Sequence, residues 1–133
     1  MSCSFLSNWT VDFGCINHPC FEKDKFENFH KYKKYAIVLG DNSILEVQGI
    51  GSVLIHMKVL DNVLYVFNLR INLLSMIQVA KKGYSFNFDS QSWCIKKGLA
   101  TIVKGSVKDD LYIMDQVLSK MCLATSVCSR GNL

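Results

Sequence analysis

Proline, paired cysteines and long apolar runs are scarce in this sequence, and each scarcity excludes a class of protein. Pro19 is the single proline among 133 residues, which excludes a proline-rich linker. No cysteines are spaced C-x-x-C, and no cysteine pair is followed by a histidine pair at the spacing of a zinc finger. No apolar run approaches the roughly 18 residues that a membrane-spanning helix needs.

The N-terminal residues also lack the pattern of a targeting segment. Residues 1–8 contain no basic cluster followed by a sustained apolar run, so we expect no secretory signal. We therefore expect a soluble, cytoplasmic protein that makes no contact with a membrane.

The composition that is present is that of a globular domain. Half of the 133 residues are apolar and a fifth are charged, which is typical of a chain with a core and not of a disordered one. The net charge of +4 permits binding to nucleic acid without requiring it. We therefore treat nucleic acid as an unlikely partner.

The six cysteines are interpreted as free thiols of a reducing compartment. Cys15, His18 and Cys20 lie close together, but three candidates fall short of the four ligands of a structural zinc site. We expect no metal and no other cofactor.

Short β-type segments separated by turn residues dominate the chain. The predicted strands are 9–11, 35–39, 44–47, 52–57, 62–66, 84–88, 93–95, 100–103 and 111–114. Gly40-Asp41-Asn42-Ser43 has strong turn chemistry and predicts a hairpin between the second and third strands. Gly49 and Gly51 predict a bulge or a close backbone approach at the entrance of the next strand. Many short strands with one short helix predict an all-β, barrel-like domain.

One helix is well defined by its ends. Ser75 is suited to cap it, and Gln78 three residues later predicts a complete capping box. Lys81 and Lys82 suit the negative end of the helix dipole, and Gly83 is a natural stop.

Two segments are harder to interpret. Residues 21–35 carry aromatic residues about every third position among lysines, which fits a short helix or an irregular loop with aromatic anchors. Such a segment can stack bases, but Glu22, Asp24 and Glu27 favour a solvated face with the aromatic rings turned inward. Residues 116–133 are expected to form a frayed tail.

An aspartate loop near the N-terminus carries the functional signal. In Trp9-Thr10-Val11-Asp12-Phe13-Gly14-Cys15, an aspartate follows a short apolar run and precedes a glycine by two positions. Taken alone, Asp12 is equally well a turn aspartate at the end of a strand.

Four ordered blocks make the segment from residue 9 to about 115 resemble the protease region of copia-type LTR retrotransposon Pol polyproteins, TNT type. The family opens with W-[IL]-x-D-[ST]-G-A-x-x-H, and residues 9–18 follow that frame. Residues 37–43 and 47–53 are similar to its V-x-L-G-D-N-S and V-x-G-x-G-x-V blocks. Residues 63–75 resemble V-L-Y-V-P-x-L-R-x-N-L-L-S, with Phe67 in place of the proline.

The resemblance implies a retropepsin-like closed β-barrel with one short helix. It implies a protease domain at 8–90, the start of a pre-integrase segment at 91–115 that packs on or follows the barrel, and a tail at 116–133. It also implies that Leu73-Leu74-Ser75 lies behind the loop of Asp12 and leads into the helix.

The same resemblance assigns the residues of a site. Asp12 is the implied catalytic residue, supported in its loop by Phe13 and Gly14, and the implied flap over the substrate is Gly40, Asp41, Asn42 and Ser43. Aspartic proteolysis uses two carboxylates that share one proton. Because the chain has one such loop, activity on a peptide or polyprotein substrate requires a homodimer.

Phe13 departs from the family, which has a serine or threonine there. The hydroxyl hydrogen-bonds between the two loops of the dimer, and phenylalanine has no donor and is far bulkier. We therefore expect an aspartic endopeptidase-like domain with impaired catalysis. The alternatives are a non-catalytic peptide-binding or structural remnant and, less favoured, a nucleic-acid-binding β-module.

Overall fold

The computed structural model describes residues 9–39, 42–55 and 58–115 and folds them into two β-sheets with one short α-helix. The strands are β1 Trp9–Asp12, β2 His18–Cys20, β3 Phe26–Val38, β4 Ile44–Ile55, β5 Lys58–Tyr65, β6 Asn72–Ser75, β7 Ser85–Phe88, β8 Ser92–Lys97, β9 Ala100–Lys108 and β10 Leu111–Met114. The helix, α1, is Met76–Lys81. The prediction of an all-β fold with one short helix is confirmed.

The first sheet has six strands in the order β6-β1-β10-β9-β8-β7. β1 and β6 are parallel, with a register that runs from Trp9 opposite Asn72 to Asp12 opposite Ser75. Because α1 begins directly after β6, the end of β1 lies beside the start of the helix. The expectation that residues 73–75 lie behind the Asp12 loop and lead into the helix is therefore confirmed.

The second sheet has four strands in the order β2-β5-β4-β3. The predicted hairpin joins β3 to β4, and it is closed by a hydrogen bond of 2.9 Å from the Leu39 N–H to the Ser43 carbonyl. The predicted strands at 44–47 and 52–57 belong to one longer strand, since β4 runs from Ile44 to Ile55. A Cβ added to Gly49 would clash with the Phe29 ring, and the register of β4 against β5 shifts between Gly51 and Val53. The predicted close approach and the predicted irregularity therefore both exist, but they lie inside the strand and not at its entrance.

The segment 21–35 is neither a helix nor a loop over most of its length, and that prediction was wrong. A short 3-10 turn at Lys23–Lys25 leads into β3, which begins at Phe26. The register of β3 against β4 shifts twice, between Glu27 and His30 and between Lys31 and Tyr35. These irregularities break the alternation by which a strand is recognised, because each shift moves the following side chains to the other face.

The described residues form two hydrophobic clusters, and the larger one is shared by both sheets. Leu60 and Val63 of the second sheet and Leu74 and Ile95 of the first are fully buried in the same cluster. Strands β8 to β10 belong to the first sheet, and β10 pairs with β1 on the side opposite β6. The three strands formed by residues after 91 are therefore part of the sheet that carries Asp12.

Among the described residues, no helix is long and apolar enough to cross a membrane.

Candidate functional site

Asp12 is the last residue of β1 and is partly buried. Its Oδ1 accepts a hydrogen bond of 2.7 Å from the backbone N–H of Gly14. A Cβ added to Gly14 would stand 3.5 Å from that oxygen, which is ordinary van der Waals contact. The loop therefore uses the Gly14 N–H to orient the carboxylate, and the absence of a side chain there is not a steric requirement.

The Phe13 side chain packs edge-on against two aromatic rings of the first sheet. Its ring lies edge-on at 4.9 Å from the Phe86 ring and 5.8 Å from the Tyr112 ring, measured between centroids. Phe86 in turn stacks on Phe88 and on Trp93. We call these five residues, Phe13, Phe86, Phe88, Trp93 and Tyr112, the aromatic surface. Phe13 is still 48% exposed and Phe88 62% exposed, so this surface borders the Asp12 loop and faces solvent in part.

The chain between β1 and β2 is held by the junction of β6 and α1. Ser75 donates its backbone N–H to Nδ1 of His18 at 2.9 Å and its hydroxyl to the carbonyl of Cys15. Gln78 donates its side-chain amide to the carbonyl of Ile16 at 2.7 Å. We call His18, Ser75 and Gln78 the junction network.

The junction network corrects the capping prediction. The Ser75 hydroxyl accepts the N–H of Gln78 at 3.3 Å, as predicted. The returning half of the capping box is absent, because the Ser75 N–H bonds His18 and the Gln78 side chain holds Ile16. A histidine distant in sequence has replaced the local partner.

The buried groups of this region are held neutral. His18 is 1% exposed, and burial, helped by the charge of Lys82, lowers its pKa to about 4. Burial raises the pKa of the Cys20 thiol to about 12. Burial also raises the pKa of Cys15, whose Sγ donates to the carbonyl of Asn17 at 2.9 Å.

These three residues are the candidate zinc ligands of the sequence. Nδ1 of His18 is occupied, because it accepts the N–H of Ser75. The raised pKa values of the Cys15 and Cys20 thiols oppose formation of the thiolates that bind metal. Across residues 9–39, 42–55 and 58–115, no group of three or more His, Cys, Asp or Glu residues could hold a metal ion.

Two of the implied flap residues, Asn42 and Ser43, are described, and they lie directly before β4, a strand of the sheet that does not contain Asp12. Asn42 adopts a left-handed backbone with φ of 68°, which asparagine tolerates well, and donates its N–H to the carbonyl of Leu39 at 2.9 Å. Ser43 supplies the carbonyl that closes the hairpin. Gly40 and Asp41 lie outside the described residues, as do His56, Met57 and the tail 116–133.

Asn72 is a residue of this region that sequence reasoning missed. It is fully buried on β6, where its Oδ1 accepts the N–H of Phe21 at 3.0 Å and its Nδ2 donates to Glu22 at 2.7 Å. The signal in the sequence is its match to the asparagine of the family block at 63–75, directly before the apolar pair Leu73-Leu74, a match to which no role was assigned. Asn72 and Ser75 thus fasten the chain at both ends of β2.

A separate shallow cavity of about 300 Å³ lies on the second sheet. It is lined by polar residues that include His30, Ser52 and Asp61, and the Ser52 hydroxyl donates to Asp61 at 3.2 Å. None of the cavity's lining residues belongs to the Asp12 loop or to the junction network.

The sequence of this chain is similar to a known protein family and to several known proteins. Residues 9–84 match the sequence profile of a family described as the Pol polyprotein, beta-barrel domain. The chain is 32% identical over 111 residues to the retrovirus-related Pol polyprotein from transposon TNT 1-94 of Nicotiana tabacum. It is 29% identical over 118 residues to the corresponding polyprotein from transposon RE1 of Arabidopsis thaliana.

Both alignments cover 80% of this chain but 8% of the relative, so the chain spans less than a tenth of the length of these polyproteins. A third relative, the putative transposon Ty5-1 protein YCL075W of Saccharomyces cerevisiae, is 33% identical over 70 residues. That alignment covers 53% of this chain and 48% of the relative. No solved structure matches the chain.

Proposed function

We propose that this chain, which belongs to the Pol polyprotein beta-barrel domain family, is an aspartic endopeptidase-like domain whose catalysis is impaired by Phe13. The observation that carries the proposal is the position of Asp12. Its carboxylate stands at the end of a strand paired in parallel with the strand that enters α1, and the Gly14 N–H orients it. Asp12 also falls where the family resemblance puts the catalytic aspartate.

The chemistry requires a second carboxylate. One ionised carboxylate takes a proton from water, which attacks the peptide carbonyl, while the protonated partner carboxyl gives its proton to the carbonyl oxygen. Of the aspartates in the sequence, Asp12 is the one that is followed two positions later by a glycine, as the family's active-site loop requires. The second carboxylate must therefore come from Asp12 of another copy, and the active form is a homodimer.

Phe13 works against that assembly. A serine or threonine hydroxyl at this position can hydrogen-bond across the two loops of a dimer, whereas the Phe13 ring lies against Phe86 and Tyr112 of its own chain. Without that bond the two carboxylates lack a positioning contact. A displacement of about 1 Å can reduce the rate on the order of a hundredfold.

The test is peptide cleavage by the purified chain between pH 4 and 7, with sedimentation to measure its mass. We expect little cleavage by the wild type and more by Phe13→Ser. Adding Asp12→Asn to Phe13→Ser should abolish the gain. Phe88→Ser removes another exposed ring of the aromatic surface and should give no gain. Efficient cleavage by the wild type that Asp12→Asn abolishes contradicts impairment, and inactivity of Phe13→Ser contradicts the protease proposal.

A second candidate function is peptide binding without cleavage. The observation that favours it is the aromatic surface, where Phe13 is 48% exposed and Phe88 is 62% exposed beside the loop. Binding of apolar peptides that Asp12→Asn leaves unchanged and Phe88→Ser weakens supports this function. Peptide affinity that depends on Asp12 speaks against it.

A further inference from the structure

We infer that His18, Ser75 and Gln78 are positioning residues for Asp12, because they hold the chain after the aspartate against the β6–α1 junction. The expected effect of these residues on catalysis rests on the proposed function. Their expected effect on the geometry of the loop does not depend on it.

The loop crosses between the two sheets, which explains why it needs side-chain partners. The chain leaves the first sheet at Asp12 and enters the second at His18, so the backbone groups between them lie outside both ladders. Two of those carbonyls, of Cys15 and Ile16, accept hydrogen bonds from the side chains of Ser75 and Gln78. The loop is therefore fastened at its middle and, through His18, at its far end.

Ser75 connects these bonds to the carboxylate. It is the register partner of Asp12 in the parallel pair of β1 and β6, and it is also the residue that bonds Cys15 and His18. The strand that supports Asp12 and the loop that follows Asp12 thus share one anchor. A change at Ser75 or His18 is expected to move the loop relative to the strand.

His18 meets a specific need at the start of the helix. The N–H groups of a first helical turn have no partner within the helix, and a buried N–H without an acceptor is costly. Nδ1 of His18 is that acceptor, which requires the neutral ring with its proton on Nε2. The burial that lowers the pKa of His18 to about 4 keeps the ring in this neutral form near pH 7.

The first measurement is the tautomer of His18 in the wild type, by NMR of the imidazole nitrogens at pH 7. The inference requires the Nε2–H form, and an Nδ1–H form overturns it without any variant being made.

The second measurement is amide hydrogen exchange at Gly14, compared with Leu64 in the core strand β5. His18→Leu and Ser75→Ala should each raise the exchange rate at Gly14 by about tenfold relative to Leu64, the effect of losing about one hydrogen bond. His18→Asn, which offers Oδ1 as an acceptor, and Ser75→Thr, which keeps the hydroxyl, should restore much of the protection. His30→Leu, at an exposed position on β3, is the matched control and should change nothing at Gly14.

The result that overturns the inference is an unchanged Gly14 rate, or rates at Gly14 and Leu64 that rise together, since the latter indicates global destabilisation. If His18→Leu does not fold, His18→Asn and the wild-type tautomer still decide the question.

Cleavage assays separate this inference from the proposed function. In the Phe13→Ser background, His18→Leu should lower kcat by about tenfold and leave KM nearly unchanged, because a misplaced carboxylate slows the reaction more than it weakens binding. If Phe13→Ser cleaves nothing, the proposed function fails while the exchange data still judge the positioning role. If it cleaves and is insensitive to His18→Leu, the positioning role fails and the proposed function stands.

Discussion

The Asp12 loop and the end of the β3–β4 hairpin are both turns beside strands, but they are held in different ways. The side chains of Ser75 on β6 and Gln78 on α1 donate hydrogen bonds to backbone carbonyls of the Asp12 loop. At the end of the loop the His18 side chain accepts the N–H of Ser75, and both His18 and Ser75 are buried. The described part of the hairpin end is closed by backbone bonds at Leu39, and Val38 and Ile44 beside it are 66% and 69% exposed. Buried polar side chains thus hold the Asp12 loop, whereas none of the described residues 38–39 and 42–44 at the hairpin end is buried.

The largest expected contrast is in packing. Leu74→Ala removes a fully buried side chain from β6, and we expect the free energy of unfolding to fall by about 2–5 kcal/mol. Ile44→Ala removes an exposed side chain at the hairpin and should change the free energy of unfolding by less than about 1 kcal/mol. Urea unfolding of both variants measures the difference. Equal losses at the two positions contradict the comparison.

The next contrast is in the response to pH. The pKa of His18 is about 4 in the folded chain and near 6.5 when unfolded, so between these values the unfolded chain binds the proton and the folded chain does not. Acidification from pH 6.5 to 4 should therefore remove about 3 kcal/mol of stability through this group. His18→Asn should abolish this part of the slope, and His30→Asn on β3 should leave it intact. Unfolding free energies measured across that range decide the matter; an unaltered slope in His18→Asn contradicts the burial of a neutral ring.

The smallest expected effect is at the tip of the Asp12 loop. Phe13→Ser removes two edge-on ring contacts from a half-exposed side chain, and we expect a loss of about 1 kcal/mol. This loss is well below that of Leu74→Ala, so the variant should remain folded for cleavage assays. A thermal unfolding curve suffices to check it. A loss as large as that of Leu74→Ala contradicts the view that the tip is the lightly held part of the loop.

Local patterns predicted the helix but not its partners. Ser75, Gln78 and Gly83 mark the ends of α1, and Gly83 has the positive φ of 92° that suits a helix stop. The acceptor for the Ser75 N–H comes from His18, 57 positions away, and no capping rule refers to residues so distant. The hydrogen bonds that hold the loop therefore depend on tertiary contacts, which local sequence patterns do not reveal.

The strands that sequence reasoning missed or shortened have physical reasons for their weak signal. β2 and β6 span three and four residues, too few to show alternation. β3 contains Asn28 in a left-handed conformation with φ of 54° beside its first register shift. Asparagine tolerates that conformation, so its presence among aromatic residues was the available sign of an irregular strand. The residues Asp12, Phe13 and Gly14 were assigned roles by a motif, whereas Asn72 falls in the family block at 63–75 without a role, because its partners Phe21 and Glu22 are about fifty positions away.

The placement of β10 beside β1 also sets an order of events during synthesis. Thr10 pairs with Ile113, about a hundred residues later, and with Leu73 on its other side. At a typical synthesis rate of about 5–20 residues per second, β1 waits several seconds for its second neighbour. The Asp12 loop therefore reaches its final support only after the ribosome has made nearly all of the described chain. Any activity of this carboxylate would begin after translation of this segment is complete.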